Sequence, residues 1–213
     1  MLVKKGIVVL AGGTGRRMGE NKAFVRLKNK TLLEYVVEKV LKVSKNVVVV
    51  VGKNHDKHKF EKILPDFIFV LQDEVVGKGP LAGMVVGIKN LKTQYVAVVP
   101  CDTPFLNPKI LQYLFVKAKK TGVDAVIPIW PNNNYEPLQA VYKSDSLLPL
   151  AENALKRNML SILDVVKGLK KTIYVPVENL KRFDPNLLTF FNINTKKDLE
   201  KAAKIVEENL FSI

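Results

Sequence analysis

The sequence predicts an α/β fold: a mostly parallel sheet covered by helices on both faces, with a more mixed C-terminal portion. Three observations predict it. Unbroken apolar runs at Ile7–Ala11, Val47–Val51 and Tyr95–Val99 fit strands buried on both sides. Between such runs lie segments whose apolar residues recur with the helical period. Strand and helix alternate in this way over about the first 125 residues, the pattern of a sheet layered between helices.

The chain has 213 residues, which suits one domain with a substantial core. No run of about eighteen apolar residues is present, so no membrane span is expected. The opening Met1-Leu2-Val3-Lys4-Lys5 passes straight into a strand, without the apolar stretch and cleavage site of a signal peptide. A single cysteine, Cys101, rules out an internal disulfide framework and fits a reducing cytoplasm. The net charge of +14 raises the question of nucleic acid. The lysines, however, are spread over helix faces and few aromatics are interleaved for base stacking. A lysine-rich solvated surface accounts for most of the charge. The rest suits an anionic small-molecule substrate, with no nucleic acid and no membrane as partner.

The first strand ends at Gly12 and opens a glycine loop, Gly12, Gly13, Gly15 and Gly19, that carries Arg16, Arg17 and Lys22. Successive backbone N–H groups in such a loop form an anion-binding concavity, and the cations suit phosphate. The competing reading is a flexible turn with solvated arginines. Two known phosphate loops do not fit. No Gly-Lys-Ser/Thr occurs, and the third position of the dinucleotide pattern beginning at Gly13 is Met18.

Thr31-Leu-Leu-Glu34 is a capping box, and Leu32, Leu33, Val36, Val37, Val40 and Leu41 give its helix an apolar face. Val47–Val51 is the second strand, closed by Gly52-Lys53-Asn54. His55 and His58 have the spacing of one helix face. With lysines around them and no third ligand nearby, they read as surface histidines rather than a metal site. Phe67–Leu71 is a third strand, delivering Asp73 at its C-terminal end. A second glycine loop, Gly77-Lys-Gly-Pro-Leu-Ala-Gly83, then leads into a helix reaching Leu91, with Pro80 in its first turn.

Tyr95–Val99 is the fourth strand and ends in Pro100-Cys-Asp-Thr-Pro104. Asp102 stands where open α/β sheets bind ligands, and holding Mg²⁺ beside phosphate is the task that suits it. Capping the next helix is the alternative. Asn107–Lys120 is that helix, and Ala125–Ile129 a fifth strand. After the turn-rich Trp130–Tyr135, the chain returns to extended structure up to Tyr142. Helices are expected over 144–155 and 158–168, strands over Thr172–Val177 and Phe190–Asn194, and a last helix capped by Thr195 and Asp198. Asn192 and Asn194 alternate with Phe191 and Ile193, so both would point to one face of their strand. Ligand hydrogen bonding and a plain exposed polar face both fit that pattern.

Leu10-Ala-Gly-Gly-Thr-Gly-Arg-Arg-Met-Gly-Glu-Asn-Lys22 resembles the signature of nucleotidyltransferases with a three-layer α/β/α Rossmann-like fold. Within them the chain most resembles the molybdenum cofactor guanylyltransferases, the MobA family. Asp73, Gly79-Pro-Leu-Ala-Gly83, Pro100–Pro104, Glu136-Pro-Leu-Gln-Ala-Val-Tyr142 and Phe191-Asn-Ile-Asn-Thr195 extend the likeness over nearly the whole chain, in the family's order. One departure is that only Glu20 and Asn21 separate Gly19 from Lys22, where some members have more residues.

The resemblance implies transfer of GMP from GTP to the molybdopterin form of the cofactor, with Mg²⁺ and with release of pyrophosphate. It implies that Leu10, Ala11 and Gly12 face the guanosine and that Gly13, Gly15, Arg17 and Lys22 face the triphosphate. Asp73 would contact the nucleoside and Asp102 would hold Mg²⁺, so that Arg17, Lys22 and Asp102 carry the chemistry. Gly79 and Gly83 would let the second loop close on GTP, and Asn192 and Asn194 would bind the pterin acceptor. One domain over 1–213 is implied, nucleotide-binding over about 1–125 and acceptor-binding over about 126–213. Other proteins of molybdenum cofactor synthesis are implied partners. Rival readings are a cytidylyltransferase, a sugar-phosphate nucleotidyltransferase or a nucleotide-binding regulator. Leu10-Ala-Gly-Gly13 counts against the first two, and Arg17, Lys22 and Asp102 together against the third.

Overall fold

The computed structural model describes residues 5–13, 21–73 and 78–208. The N-terminal half begins with β1 (Lys5–Leu10), a short hairpin of β2 (Arg26–Leu27) and β3 (Lys30–Thr31), and α1 (Leu32–Leu41). β4 (Val47–Val51), α2 (Lys57–Glu61), β5 (Phe69–Gln72), α3 (Gly79–Leu91) and β6 (Tyr95–Pro100) follow. The remainder comprises α4 (Pro108–Thr121), β7 (Ala125–Ile129), β8 (Ala140–Lys143), α5 (Ser144–Lys156), α6 (Ile162–Lys167), β9 (Thr172–Pro176) and α7 (Lys196–Glu207). Among the described residues no helix is long and apolar enough to cross a membrane.

The described strands form a seven-stranded sheet in the order β5-β4-β1-β6-β8-β7-β9. β8 runs antiparallel to both neighbours, and every other pairing in that sheet is parallel. This is the mostly parallel sheet with a mixed C-terminal portion that the sequence predicts. Period-two alternation divides the valines between two cores. Ile7, Val9 and Val49 face α1, α2 and α4, meeting Val36, Phe60 and Leu114. Val8, Val48 and Val50 face α3, α5 and α6, meeting Met84, Leu147 and Val165.

From β1 the chain steps outward to β4 and β5 over the first face, and α3 then returns it to β6 over the second. Right-handed crossovers require that change of face when the direction reverses. The reversal beside β1 opens a crevice at the C-terminal ends of the strands. A third cluster, with Leu27, Leu32, Phe105, Ile193 and Ala202, packs α7 against the β2–β3 hairpin. The hairpin strands are two residues each, too short to leave a periodic trace in the sequence.

Several boundaries differ from expectation. β5 starts at Phe69 rather than Phe67, and the helix expected over 158–168 is confined to Ile162–Lys167 behind the N-cap Ser161. The larger correction concerns Phe190–Asn194, which is not a strand. Leu187 turns the chain at φ 52°, a 3-10 turn spans Leu188–Phe190, and the segment that follows joins no ladder. It is tied instead by the Ile193 N–H donating to the Asp102 carbonyl at 2.9 Å. Asn192 and Asn194 therefore do not share a strand face. Gly15 and Arg17, expected at the phosphates, lie outside the described residues.

Candidate active site

The C-terminal ends of β1, β4, β5 and β6 border a cavity of about 470 Å³. Short backbone bonds hold these ends together. The Ala11 N–H donates to the Val50 carbonyl at 2.8 Å, Asp73 N–H to Val51 at 2.8 Å, and Cys101 N–H to Leu10 at 3.0 Å. The lining includes Leu10, Gly12, Gly13, Lys22, Asp73, Gly79, Gly83 and Asp102, eight of the residues singled out from the sequence. Ala11 does not join them. It is buried in the core on the α1 side, so its contribution is to pin β1 to β4.

Lys22 is placed by its neighbour. The Asn21 side chain accepts the Ala23 N–H at 2.9 Å and caps the 3-10 turn Lys22–Phe24. From that turn Lys22 Nζ donates to Asp102 Oδ2 at 2.7 Å and also to Asn194 Oδ1. Both members of the ion pair are mostly shielded, with side-chain exposures of 19% and 14%. Asp102 is thus joined to Lys22, just after the glycine loop, by charge and to the C-terminal segment by its carbonyl. It does not cap α4, because Asn107 does so through its bond from the Lys109 N–H at 2.9 Å. That removes the structural alternative for this carboxylate.

The donor chemistry suits a divalent cation bound together with phosphate. Among the described residues no group of three or more His, Cys, Asp or Glu comes together, so no all-protein cage is formed. A single carboxylate facing an open cavity, with further oxygens supplied by a bound phosphate, is a donor set that Mg²⁺ accepts. Asp102 is the residue that could hold it.

Two glycines shape the other wall. Gly79 opens α3 at φ 65°, a conformation that side chains resist. Gly83 lies one turn on, where a Cβ would stand 2.8 Å from Leu10 Cδ2. Its lack of a side chain lets α3 press onto β1 and keeps Leu10 at the cavity wall. Cys101 is buried, and burial pushes its thiol far above the usual range, which makes it an unreactive part of the lining.

The structure adds residues that sequence reasoning set aside. Gly52, Lys53, Asn54 and His55, after β4, line the cavity, and so does Leu138. His55 and His58 do not share a helix face. His58 is exposed and pairs with Glu61 at 2.9 Å, whereas His55 precedes α2 and faces inward. His55 Nδ1 lies 3.3 Å from the Gly52 N–H, and the Asn21 amide lies 3.3 Å from both ring nitrogens. Burial lowers the His55 pKa, favouring the neutral ring that can accept the Gly52 bond. The clue in the sequence was the position of His55 just beyond a strand's C-terminal end, the same rule that selected Asp102.

Known proteins are similar to this chain in sequence and in fold. The family described as MobA-like NTP transferase domain matches residues 7–171. A probable molybdenum cofactor guanylyltransferase of Methanosarcina mazei is 40% identical over 198 residues, covering 91% of this chain and 87% of that protein. A molybdenum cofactor guanylyltransferase of Desulfosudis oleivorans is 31% identical over 206 residues, covering 96% and 97%. The solved molybdopterin-guanine dinucleotide biosynthesis protein A of Archaeoglobus fulgidus superposes with a TM-score of 0.81 at 34% identity, covering 96% of this chain and 99% of that one.

Proposed function

The chain belongs to the MobA-like NTP transferase family, and on that footing we propose that it is a guanylyltransferase transferring GMP from GTP to the molybdopterin form of the molybdenum cofactor. The observation that carries the proposal is the Lys22–Asp102 pair, 2.7 Å apart in a cavity formed by the ends of four parallel strands. A nucleotide-binding part over about 1–125 and an acceptor-binding part over about 126–213 would meet at that pair, since Asn194 also reaches Lys22.

In the reaction the terminal phosphate oxygen of the acceptor forms a bond to the α-phosphorus of GTP. The bond from that phosphorus to the α–β bridging oxygen breaks, and pyrophosphate leaves with the electron pair. No covalent step on the protein is required, so positioning and charge carry the rate. Leu10 and Gly12 would flank the guanosine, Asp73 would contact the nucleoside, and Gly13, Gly15 and Arg17 would cradle the triphosphate. Gly79 and Gly83 would bring the start of α3 against it. Lys22, turning from Asp102 to the phosphates, would place its ammonium where negative charge builds. Asp102 would then be free to hold Mg²⁺, which supplies charge neutralisation on the phosphates and the departing pyrophosphate. Asn192 and Asn194 would orient the acceptor. Such a protein would act in the cytoplasm, alongside other proteins of molybdenum cofactor synthesis.

Calorimetry with GTP, CTP, ATP and UTP in the presence of Mg²⁺ tests the nucleotide assignment. Preferential binding of GTP supports it. Preference for CTP moves the chain to a cytidylyl transfer on the same fold, and equal binding of all four overturns the guanine assignment.

A further inference from the structure

Outside the nucleotide cavity, the β7–β8 connection holds a half-buried carboxylate that nothing above employs. Ile129 and Tyr135 form an isolated antiparallel bridge at the base of this loop. The Trp130 N–H donates to the Asn134 carbonyl at 2.8 Å, and the Asn133 N–H returns to Trp130 at 2.9 Å. The Trp130 indole N–H donates to Glu136 Oε1 at 2.7 Å, and the Trp130 ring meets Phe190 edge-on at 5.7 Å. Burial pushes the Glu136 carboxyl up despite that bond. A neutral amide could accept one indole N–H just as well, without the cost of desolvating a charge. The carboxylate is more than the staple needs.

Its location fits the acceptor. β7 lies two places from β6 in the sheet, on the far side of β8. Strands are spaced about 4.8 Å apart, which sets the Trp130–Glu136 loop roughly 10 Å from Asp102 along the same edge. A second route leads the same way. Phe190, against Trp130, is followed by Asn192 and by Ile193, whose N–H binds the Asp102 carbonyl at 2.9 Å. The nucleotide cavity lies mainly on the other side, at the ends of β1, β4 and β5, and among the described residues it meets the β7–β8 connection at Leu138, not at Trp130 or Glu136.

We propose that Trp130 and Glu136 form the subsite that reads the heterocycle of the acceptor. The inference rests on the pterin-phosphate reading of the reaction given above. A pterin is flat, and its aminopyrimidine edge presents a ring N–H beside an exocyclic amine. A carboxylate accepts both at once, having lone pairs left after the indole bond. The indole gives the ring an apolar surface and fixes the carboxylate rotamer. A phosphorylated tricyclic pterin is long enough to place its phosphate at Lys22 and Asp102 while its ring reaches this loop.

Steady-state kinetics of the full chain with GTP, Mg²⁺ and molybdopterin, for wild type, Glu136→Gln and Trp130→Phe, tests the subsite. Trp130 is the chain's single tryptophan, so its emission reports directly on the loop. Glu136→Gln keeps an acceptor for the indole but loses the charge. Its acceptor KM is expected to rise about tenfold to a hundredfold, the range for a lost hydrogen bond to a charged group. Its GTP KM and Tm should stay at wild-type values, and Trp130→Phe should raise the acceptor KM in the same sense. Trp130 emission should change on adding molybdopterin and stay constant with GTP alone. An unshifted acceptor KM in a Glu136→Gln protein that turns over overturns the subsite and leaves the transfer reaction standing. A rise in GTP KM instead overturns it by putting the loop on the nucleotide side. Absence of wild-type turnover with molybdopterin overturns the reaction, and the subsite with it.

Discussion

Lys22 Nζ stands 2.7 Å from Asp102 Oδ2, so the ammonium engages one oxygen of the carboxylate at the cavity wall. Each charge is held by the other, and in the proposed reaction substrate binding would part them. Replacing either one should separate binding from turnover. Lys22→Ala is expected to lower kcat by about a hundredfold to a thousandfold, the range for losing one preorganised donor to developing charge. Asp102→Asn should abolish the response of turnover to Mg²⁺ while the fold survives. Single-turnover kinetics across a Mg²⁺ titration measures both, and a variant at Asp102 that still follows Mg²⁺ would remove the metal assignment.

Two glycines on α3 should behave differently when given a side chain. At Gly87 a Cβ would meet both methyl groups of Val8 at 2.6 Å. A β-branched side chain in a buried strand cannot swing aside, so Gly87→Ala should destabilise by about 1–3 kcal/mol through overpacking. At Gly83 the obstacle is the tip of Leu10, at 2.8 Å. Leu10 is flexible at its tip and lines the cavity, so its displacement would alter the cavity wall. Gly83→Ala should cost less stability and more GTP affinity than Gly87→Ala, as urea unfolding and calorimetry on the pair would read.

Asn192 and Asn194 should not be equivalent. Asn194 accepts from Lys22, whereas the Asn192 amide donates to the Phe190 carbonyl at 3.3 Å. Asn192→Ala is expected to raise the acceptor KM several-fold and spare GTP. Asn194→Ala should alter the KM for both substrates and lower kcat, since it releases one of the anchors of Lys22. Identical kinetic profiles for the two variants would contradict this division.

Acid should loosen the C-terminal side of the site first at α7. Asp198 accepts the Thr195 hydroxyl at 2.8 Å, the Thr195 N–H at 2.8 Å and the Asn194 N–H at 3.1 Å. The Thr195 hydroxyl, followed by those backbone bonds, holds its carboxyl below the ordinary value of 3.8. A depressed carboxylate contributes stability above its unfolded value and loses it as the pH falls through the folded one. Amide exchange at Asn194 and Thr195 should therefore quicken as the pH drops below about 4, after correction for intrinsic rates. Asp198→Asn should show fast exchange at every pH.

The parts of this molecule that were legible in advance are those decided locally. Five consecutive valines in β4 can only be a strand covered on both faces, and the capping boxes at Thr31 and Thr195 are both present with their reciprocal bonds. Asp73 and Asp102 could be placed at the cavity because they follow strand ends, which in such sheets point at ligands, and Lys22 because it closes the glycine loop. Phe190–Asn194 deceived because Phe-Asn-Ile-Asn imitates the alternation of a strand. Alternation says nothing of whether a partner strand is within reach, and here the Asp102 carbonyl supplies the bond. His55 was undervalued for a related reason. Its contact with Asn21 spans 34 positions, beyond anything a local pattern carries. Ala11 shows the converse, a motif residue whose side chain belongs to the core while its backbone does the joining.

The bond from Lys22 to Asn194 closes a loop of 172 positions. A chain leaving the ribosome from its N-terminus lays down the glycine loop first and the Asn194 segment near the end. At about 5–20 residues per second the interval between them is on the order of 10–30 s. For that interval the nascent protein holds an incomplete site: Lys22 first waits for Asp102, 80 positions on, the pair then lacks its third partner, and the β2–β3 hairpin lacks the cover of α7. Competence to act is then a property acquired late in synthesis, and a chain that stalls early should be a poor competitor for the acceptor.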